Sequence, residues 1–340
     1  MDQGILNLET LWFVLIAVLW TGFFFLEGFD FGVGILLPFI GKDDDERRVV
    51  INTIGPTWDG NEVWLLTAGG AMFAAFPIWY ATMFSGFYLA LFLILIGLIV
   101  RGVAFEYRSK SPSSEWRRTW DGAIFVGSVL PAFLFGVAFG NLVRGVQIDA
   151  AGEYVGGFWA LLNPYSLLMG VASLILFTLH GALFLSLKSK GVVCDRAMEV
   201  ARPLSIATAG VLALAMVWSY VQTDSGVVPG LLPIAAVALL GVVIWLTYAK
   251  LFAWAFVFTG LTIVTVVAAI FIGMYPNVMT STIDPAYSLT VFNASSTTMT
   301  LQIMSIVALI FVPIVLVYQS WSYWVFRKRV GPEDVRTPAH

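Results

Sequence analysis

Long apolar runs, separated by short charged segments, organise this chain. Nine of them reach the roughly 20 residues a helix needs to cross the hydrocarbon layer: 10–39, 50–76, 81–101, 120–143, 160–187, 204–221, 228–248, 251–275 and 301–325. The pattern predicts an all-α polytopic membrane protein with nine transmembrane helices. It forms a single integral membrane domain over 1–340, with a tail at 327–340 and no soluble domain. Span two contains Gly55-Pro56, which reads either as a kink inside the span or as the start of its regular helix. The apolar Val49-Val50-Ile51 just before it favours the kink.

The basic residues fix an orientation. Lys42, Arg47 and Arg48 follow span one, and Arg101, Arg108, Lys110, Arg117 and Arg118 follow span three. Lys188, Lys190, Arg196 and Arg202 follow span five, Lys250 follows span seven, and Arg327, Lys328, Arg329 and Arg336 follow span nine. That places 17 of the 18 on one side, with Arg144 alone opposite. The positive-inside rule then sets the N-terminus outside and the C-terminus in the cytoplasm. A missed or invented span would scramble this alternation.

Composition agrees with the membrane reading. Of the 340 residues 59% are apolar and 11% charged, against about 25% charged in soluble domains, and the mean hydropathy is +0.88. Trp79-Tyr80, Trp116 with Trp120, and Trp321 with Tyr323 and Trp324 gather near span ends, as interfacial aromatics do. Met1-Asp2-Gln3-Gly4 lacks the basic region of a cleaved signal, so the first run reads as a retained anchor. The segment 276–300, rich in Ser and Thr, is expected to fold as a lid over the bundle. Asn293-Ala294-Ser295 matches a glycosylation sequon by coincidence.

Most acids sit in loops, but Glu27 and Asp30 lie in span one, and Asp59 and Glu62 in span two. Each pair is spaced i, i+3 and shares a helical face. Carboxylates at membrane depth are costly and mark proton or ion paths, or buried pairing. Counted from Gly41 and Val49, Asp30 and Asp59 lie roughly 15 Å in, and Glu27 and Glu62 roughly 20 Å in. The four acids therefore form two matched levels of one hairpin if their faces meet. If the regular helix starts at Pro56 instead, Asp59 belongs to its first turn, nearer the headgroups. Asn61, Thr53, Thr57 and Trp58 could serve as partners in a purely structural arrangement. Arg101 could neutralise an acid or snorkel to the headgroups. Gly28 and Gly32 form a small-xxx-small pair that permits close helix approach.

Redox centres and nucleotide motifs are missing. One cysteine, Cys194, allows no internal disulfide, and His180 and His340 are too few for most haem or metal chemistry. His180 is expected to bond a neighbouring helix rather than a metal. No Walker motif or dinucleotide fingerprint is present. The acids alone fit a proton-coupled secondary transporter equally well, although transporters commonly show repeated broken helices and only Gly55-Pro56 hints at one. A scaffold without a proton role is the third reading.

The motifs Glu27-Gly28-Phe29-Asp30-Phe31-Gly32 and Gly55-Pro56-Thr57-Trp58-Asp59-Gly60-Asn61-Glu62-Val63-Trp64 are similar to the first two signatures of cytochrome bd-type quinol oxidase subunit II. Arg101-Gly102-Val103-Ala104-Phe105, Gly136-Val137-Ala138-Phe139-Gly140-Asn141, Leu162-Asn163-Pro164 and Asn293-Ala294-Ser295-Ser296 extend the resemblance along the chain. It implies two four-helix bundles plus a peripheral helix in a prokaryotic cell membrane, and a haem-bearing partner, subunit I, with b- and d-type haems. It also implies that this chain ligates no haem or metal, is not catalytic alone, and supports proton delivery from the cytoplasm to the oxygen-reduction site. Asp59, Glu27, Asp30 and Glu62 are then the proton-path candidates, supported by Trp58, Asn61 and Arg101. Some members of the family bind a structural quinone or small single-span accessory subunits. The short segment Gln222 to Val227, between spans six and seven, departs from relatives with a long insertion there.

Overall fold

The computed structural model describes residues 7–222 and 227–336. Met1-Asp2-Gln3-Gly4, positions 223–226 of the short connection between spans six and seven, and His340 at the end of the tail lie outside the described residues.

The helices start and stop on local chemistry. α1 (Leu8–Ile40) opens on Asn7, whose side chain accepts the Thr10 N–H at 2.8 Å, and closes at Gly41. α2 (Asp44–Ile54) is capped by Asp43, and α3 covers Trp58–Ala75. α4 (Pro77–Gly86) begins with proline, which fits a first turn because it has no N–H to satisfy. α5 (Tyr88–Tyr107) leads through a tight turn into α6 (Ser114–Arg144). The short α7 (Gly157–Leu161) precedes α8 (Pro164–Lys188), where Asn163 caps and Pro164 occupies the first position. α9 (Gly191–Gln222), α10 (Val227–Tyr248) and α11 (Phe252–Met274) follow. α12 (Thr298–Val325) is capped by Thr297, and α13 (Pro332–Arg336) lies in the tail.

Among the described residues eight helices are long and apolar enough to cross a membrane: α1, α5, α6, α8, α9, α10, α11 and α12. α3, the helix of predicted span two, is not one of them, because its first turns carry Asp59, Asn61 and Glu62. Predicted span three is displaced. Its long apolar helix is Tyr88–Tyr107, preceded by the separate α4.

The favoured kink in span two is also corrected. α2 and α3 are separate helices joined by a turn in which the Thr57 N–H reaches Ile54 O at 2.8 Å. Pro56 has no N–H to continue the helical ladder, so α2 ends before it. Val49 and Val50 are fully buried, but against protein: α2 packs on the foot of α1 and on α13. Ion pairs hold α2 in place. Arg47 reaches Asp121 at 2.8 Å, Arg108 bridges Asp44 (2.9 Å) and Asp121 (2.5 Å), and Arg117 meets Asp44 at 2.6 Å. Arg196 meets Glu46 at 2.5 Å. Partial burial pushes the Glu46 carboxyl up, but hydrogen bonds from the Lys42 N–H and Arg196 outweigh it and hold the group below its ordinary range.

α1 is the central post, in contact with α3, α6, α8, α11 and α12. Its crossing with α8 is tight enough to require glycine. A Cβ on Gly32 would lie 2.0 Å from Phe177 O, and one on Gly181 would lie 2.4 Å from Gly32 C. Gly32→Ala is therefore expected to force the helices apart at a cost of about 1–3 kcal/mol. The check is the thermal midpoint of the purified complex, and an unchanged midpoint would refute the tight crossing.

The segment after α11 folds back over the bundle as expected. β1 (Asn277–Met279) pairs antiparallel with β2 (Leu289–Thr290), and Val278, Met279, Val291 and Ala294 are fully buried. The Ser296 N–H reaches Ala75 O at 2.8 Å, and Ser281 Oγ reaches Ile148 O at 2.7 Å. Asn293 is a turn former here: its Oδ1 accepts the Thr290 N–H and its amide donates to Ser288 O.

α12 stands apart. Trp12 Nε1 bonds Leu301 O and Ser305 near its start, and polar contacts to α3 hold it near its end. Between these two attachments, residues 309–318 are exposed on every side.

Candidate functional site: a buried carboxylate and arginine tier

Helices α1, α3, α5 and α12 carry the site. The 3.6-residue period brings Glu27 and Asp30 of α1 to one face, where both are fully buried. α5 contributes Arg101, also fully buried, which donates from Nη2 to Glu27 Oε1 and lies 3.6 Å from Glu62 Oε2. The guanidinium also lies over the Phe31 ring at 4.7 Å and near the Phe105 ring at 5.9 Å. Such stacking suits a planar, weakly hydrated cation. Arg101 therefore does not snorkel; it pairs inside the protein.

Asp30 is held differently. Asn61 Nδ2 donates to Asp30 Oδ2 at 2.7 Å. The Asn61 carbonyl accepts from Tyr323 Oη at 2.7 Å and from Gln319 Nε2 at 3.4 Å. Trp64 Nε1 in turn donates to Gln319 Oε1 at 2.9 Å. With its oxygen occupied by Tyr323, the Asn61 amide must present its NH₂ to the acid.

The sequence reasoning missed Tyr323 and Gln319. Tyr323 was grouped with the interfacial aromatics, and nothing in a linear reading pairs it with a residue 262 positions away. Gln319, a polar residue in an otherwise apolar helix, was a usable signal.

Four buried polar atoms of the tier have no protein partner among the described residues: Glu27 Oε2, Asp30 Oδ1, Arg101 Nε and Arg101 Nη1. Buried groups of this kind satisfy themselves with ordered water.

Asp59 is not in this tier. It sits in the first turn of α3 and is exposed, so the expected two matched levels reduce to one cluster of three acids, the buried Glu27 and Asp30 and the half-buried Glu62. Asp59 heads a stripe along the outer face of α3 with Val63, Leu66, Gly70 and Phe73, all exposed; Leu66 is 72% and Phe73 61% exposed. A Cβ on Gly69 or Gly70 would meet nothing within 4 Å. Trp58 packs inward, 5.2 Å from the Phe105 ring and close over Gly102. Thr53 and Thr57 donate to carbonyls of α2, Val50 O and Ile54 O, rather than to the acids.

His180 is fully buried, and its Nε2 lies 3.2 Å from Phe25 O. A carbonyl only accepts, so Nε2 carries the proton. The ring stacks on Phe256 at 4.5 Å and is flanked by Phe25 and Phe29. Among the described residues no group of three or more His, Cys, Asp or Glu is placed to hold a metal.

Residues 8–326 match the family model described as cytochrome bd terminal oxidase subunit II. The chain is 46% identical over 338 residues to the cytochrome bd ubiquinol oxidase subunit 2 of Bacillus subtilis, covering 97% of this chain and 99% of that one. It is 40% identical over 370 residues to the cytochrome bd-I ubiquinol oxidase subunit 2 of Escherichia coli K12, covering 98% of each. Among solved structures, a chain of the bd oxidase from Geobacillus thermodenitrificans superposes with a TM-score of 0.71 at 12% identity, over 94% of this chain and 98% of that one. That last likeness speaks to the fold alone.

Proposed function

Because the chain belongs to the family of cytochrome bd terminal oxidase subunit II, we propose that its buried acid tier serves proton delivery to the oxygen-reducing site of the complex. The chain is a multi-pass plasma-membrane subunit of a respiratory quinol oxidase and works beside a partner subunit I. A secondary transporter is not favoured, since the full-length matches are to oxidase subunits.

One observation carries the proton reading. Glu27 and Glu62 share one guanidinium, and the buried Asp30 beside them is held by the neutral Asn61 amide instead of a cation. At least one acid then lacks a cation partner, which suits a group that releases and regains a proton. The unpartnered oxygens and guanidine nitrogens beside them favour water as the carrier between groups. Asp59, exposed in the first turn of α3, is proposed to collect protons from the cytoplasm, with Glu62 and Glu27 receiving them. Asn61 and Arg101 hold the acids in place, and Trp58 closes the wall against α5.

The outer stripe of α3 and the bare middle of α12 are proposed to pack against subunit I, which would carry the haems and put Asp59 at the seam between subunits. In this arrangement α3 becomes the ninth span, its acids shielded by the partner. The N-terminus is then outside and the C-terminus cytoplasmic, with two four-helix bundles and α12 as the peripheral helix. The chain ligates no haem and is not catalytic alone.

A structural quinone is proposed for one region. Two cavities of ≈ 520 Å³ and ≈ 700 Å³ adjoin at Met169, Val266 and Ile270. The first is apolar and suits an isoprenoid tail, while the second offers Ser219, Asn277 and Thr280 to a polar head. Small single-span accessory subunits are proposed as further partners.

The test of the proton reading is Asp59→Asn in the assembled complex. It is expected to keep the haem spectrum and slow quinol-driven oxygen consumption severalfold. Wild-type turnover with normal proton uptake would remove Asp59 from the path.

A further inference from the structure

An open cleft of ≈ 840 Å³ lies at the end of the molecule away from the lid, lined by Lys190, Cys194, Asp195, Lys250, Phe252 and Arg329. Two long helices begin at its wall: α9 at Gly191 and α11 at Phe252. Neither has an acidic residue in its first turn, and no side chain caps α11. The first four N–H groups of a helix lack intrahelical partners, and its N-terminus carries about half a positive charge. Two such ends facing one cleft favour an anion.

The side chains point the same way. Lys190 is neutralised by Glu333 at 2.7 Å and Asp334 at 4.0 Å. Arg329 instead donates to neutral atoms: Ser189 O at 2.9 Å, Ser186 O at 3.3 Å and Cys194 Sγ at 3.2 Å. Among the described residues neither Arg329 nor the Lys250 side chain meets a carboxylate within 4.0 Å. Lys250 sits at φ 62°, in the left-handed region, at the tight turn from α10 into α11. The acid lining the cleft is Asp195, so two uncompensated cations and two helix ends face one carboxylate.

Flanking Lys250 and Phe252 of the cleft along the chain are the exposed Trp245, Tyr248, Leu251 and Trp254, residue types of a headgroup-level belt. From there an apolar stripe runs up α11 through Trp254, Val257, Leu261 and Val264, each at least 39% exposed. This track suits an acyl chain and has no use for a free ion.

We propose that this cleft binds the phosphodiester headgroup of an anionic phospholipid, with Lys250, Arg329 and the starts of α9 and α11 around the phosphate and an acyl chain along α11. Basic pockets between transmembrane helices are suited to such headgroups. Placing the site in the cytoplasmic leaflet rests on the topology proposed above; the binding chemistry does not.

The experiment titrates the delipidated, purified oxidase complex with phosphatidylglycerol, phosphatidylcholine and inorganic phosphate, and counts bound molecules by native mass spectrometry. Lys250→Gln is the variant, because that side chain makes no ion pair among the described residues, and an unchanged haem spectrum certifies the fold. Wild type is expected to bind phosphatidylglycerol about fivefold more tightly than Lys250→Gln, the effect of one cation near a membrane surface. Phosphatidylcholine should bind both alike, and phosphate should compete weakly. Equal phosphatidylglycerol binding by wild type and variant would overturn the proposal. So would phosphate binding as tightly as the lipid, which would make the cleft a free-anion site.

Discussion

Arg101→Met is expected to destabilise the subunit by about 3–5 kcal/mol and to deplete the assembled complex from the membrane. Arg101 and Glu27 are both fully buried and paired. Methionine approximates the volume and keeps some of the contact with Phe31 and Phe105, so the loss reports the charge rather than a cavity. What remains is a carboxylate with no cation, enclosed away from bulk solvent. Glu62 suffers less, because its side chain keeps 20% exposure. The double variant Arg101→Met with Glu27→Gln removes both charges and should recover much of the loss. Arg101→Lys should fall between, keeping the charge but not the planar stack. Thermal unfolding of the purified complex, read beside the haem spectrum, checks all three. A single variant as stable as wild type would mean that the tier is not an electrostatic unit.

Glu27→Gln is expected to leave that spectrum intact and to slow quinol-driven oxygen consumption at least about tenfold, toward the roughly 10²–10⁴-fold that positioned acid–base groups contribute. Glutamine has nearly the same shape and can still accept from Arg101 through its carbonyl. It cannot be ionised, so it cannot pass a proton. The effect should exceed that of Asp59→Asn, because Asp59 is exposed and neighbouring water can substitute for it, whereas Glu27 is fully enclosed. Dye-monitored proton uptake during a single turnover separates a slowed proton step from a disturbed electron step. Normal uptake in Glu27→Gln would assign this glutamate to packing alone.

The contrast between these two acids shows what a linear reading missed. Glu27 and Asp30 stood out because a carboxylate inside a long apolar run needs a reason to be there, and both proved fully buried. Asp59 looked equivalent by spacing. Its depth depended on Gly55-Pro56, and the turn there moved it into the first turn of a separate helix. Local sequence allows both outcomes, because proline can kink a helix or begin one. Val49 and Val50 misled for a related reason: a buried apolar side chain looks the same in sequence whether lipid or protein covers it.

The sequence by itself determined the membrane character of the chain, most of its long helices and the family, because hydropathy, capping residues and contiguous motifs are encoded locally. It also nominated the acids, since ionisable groups are conspicuous in apolar runs. Tertiary structure alone decided that Arg101 pairs with Glu27 and lies near Glu62, that Tyr323 and Asn61 hold Asp30, and that Asp59 faces outward. It likewise brought the starts of α9 and α11 and the uncompensated Lys250 and Arg329 to one cleft. These outcomes depend on how helices distant in sequence are rotated and packed, and residue order along one helix does not specify its rotation against a neighbour from elsewhere in the chain.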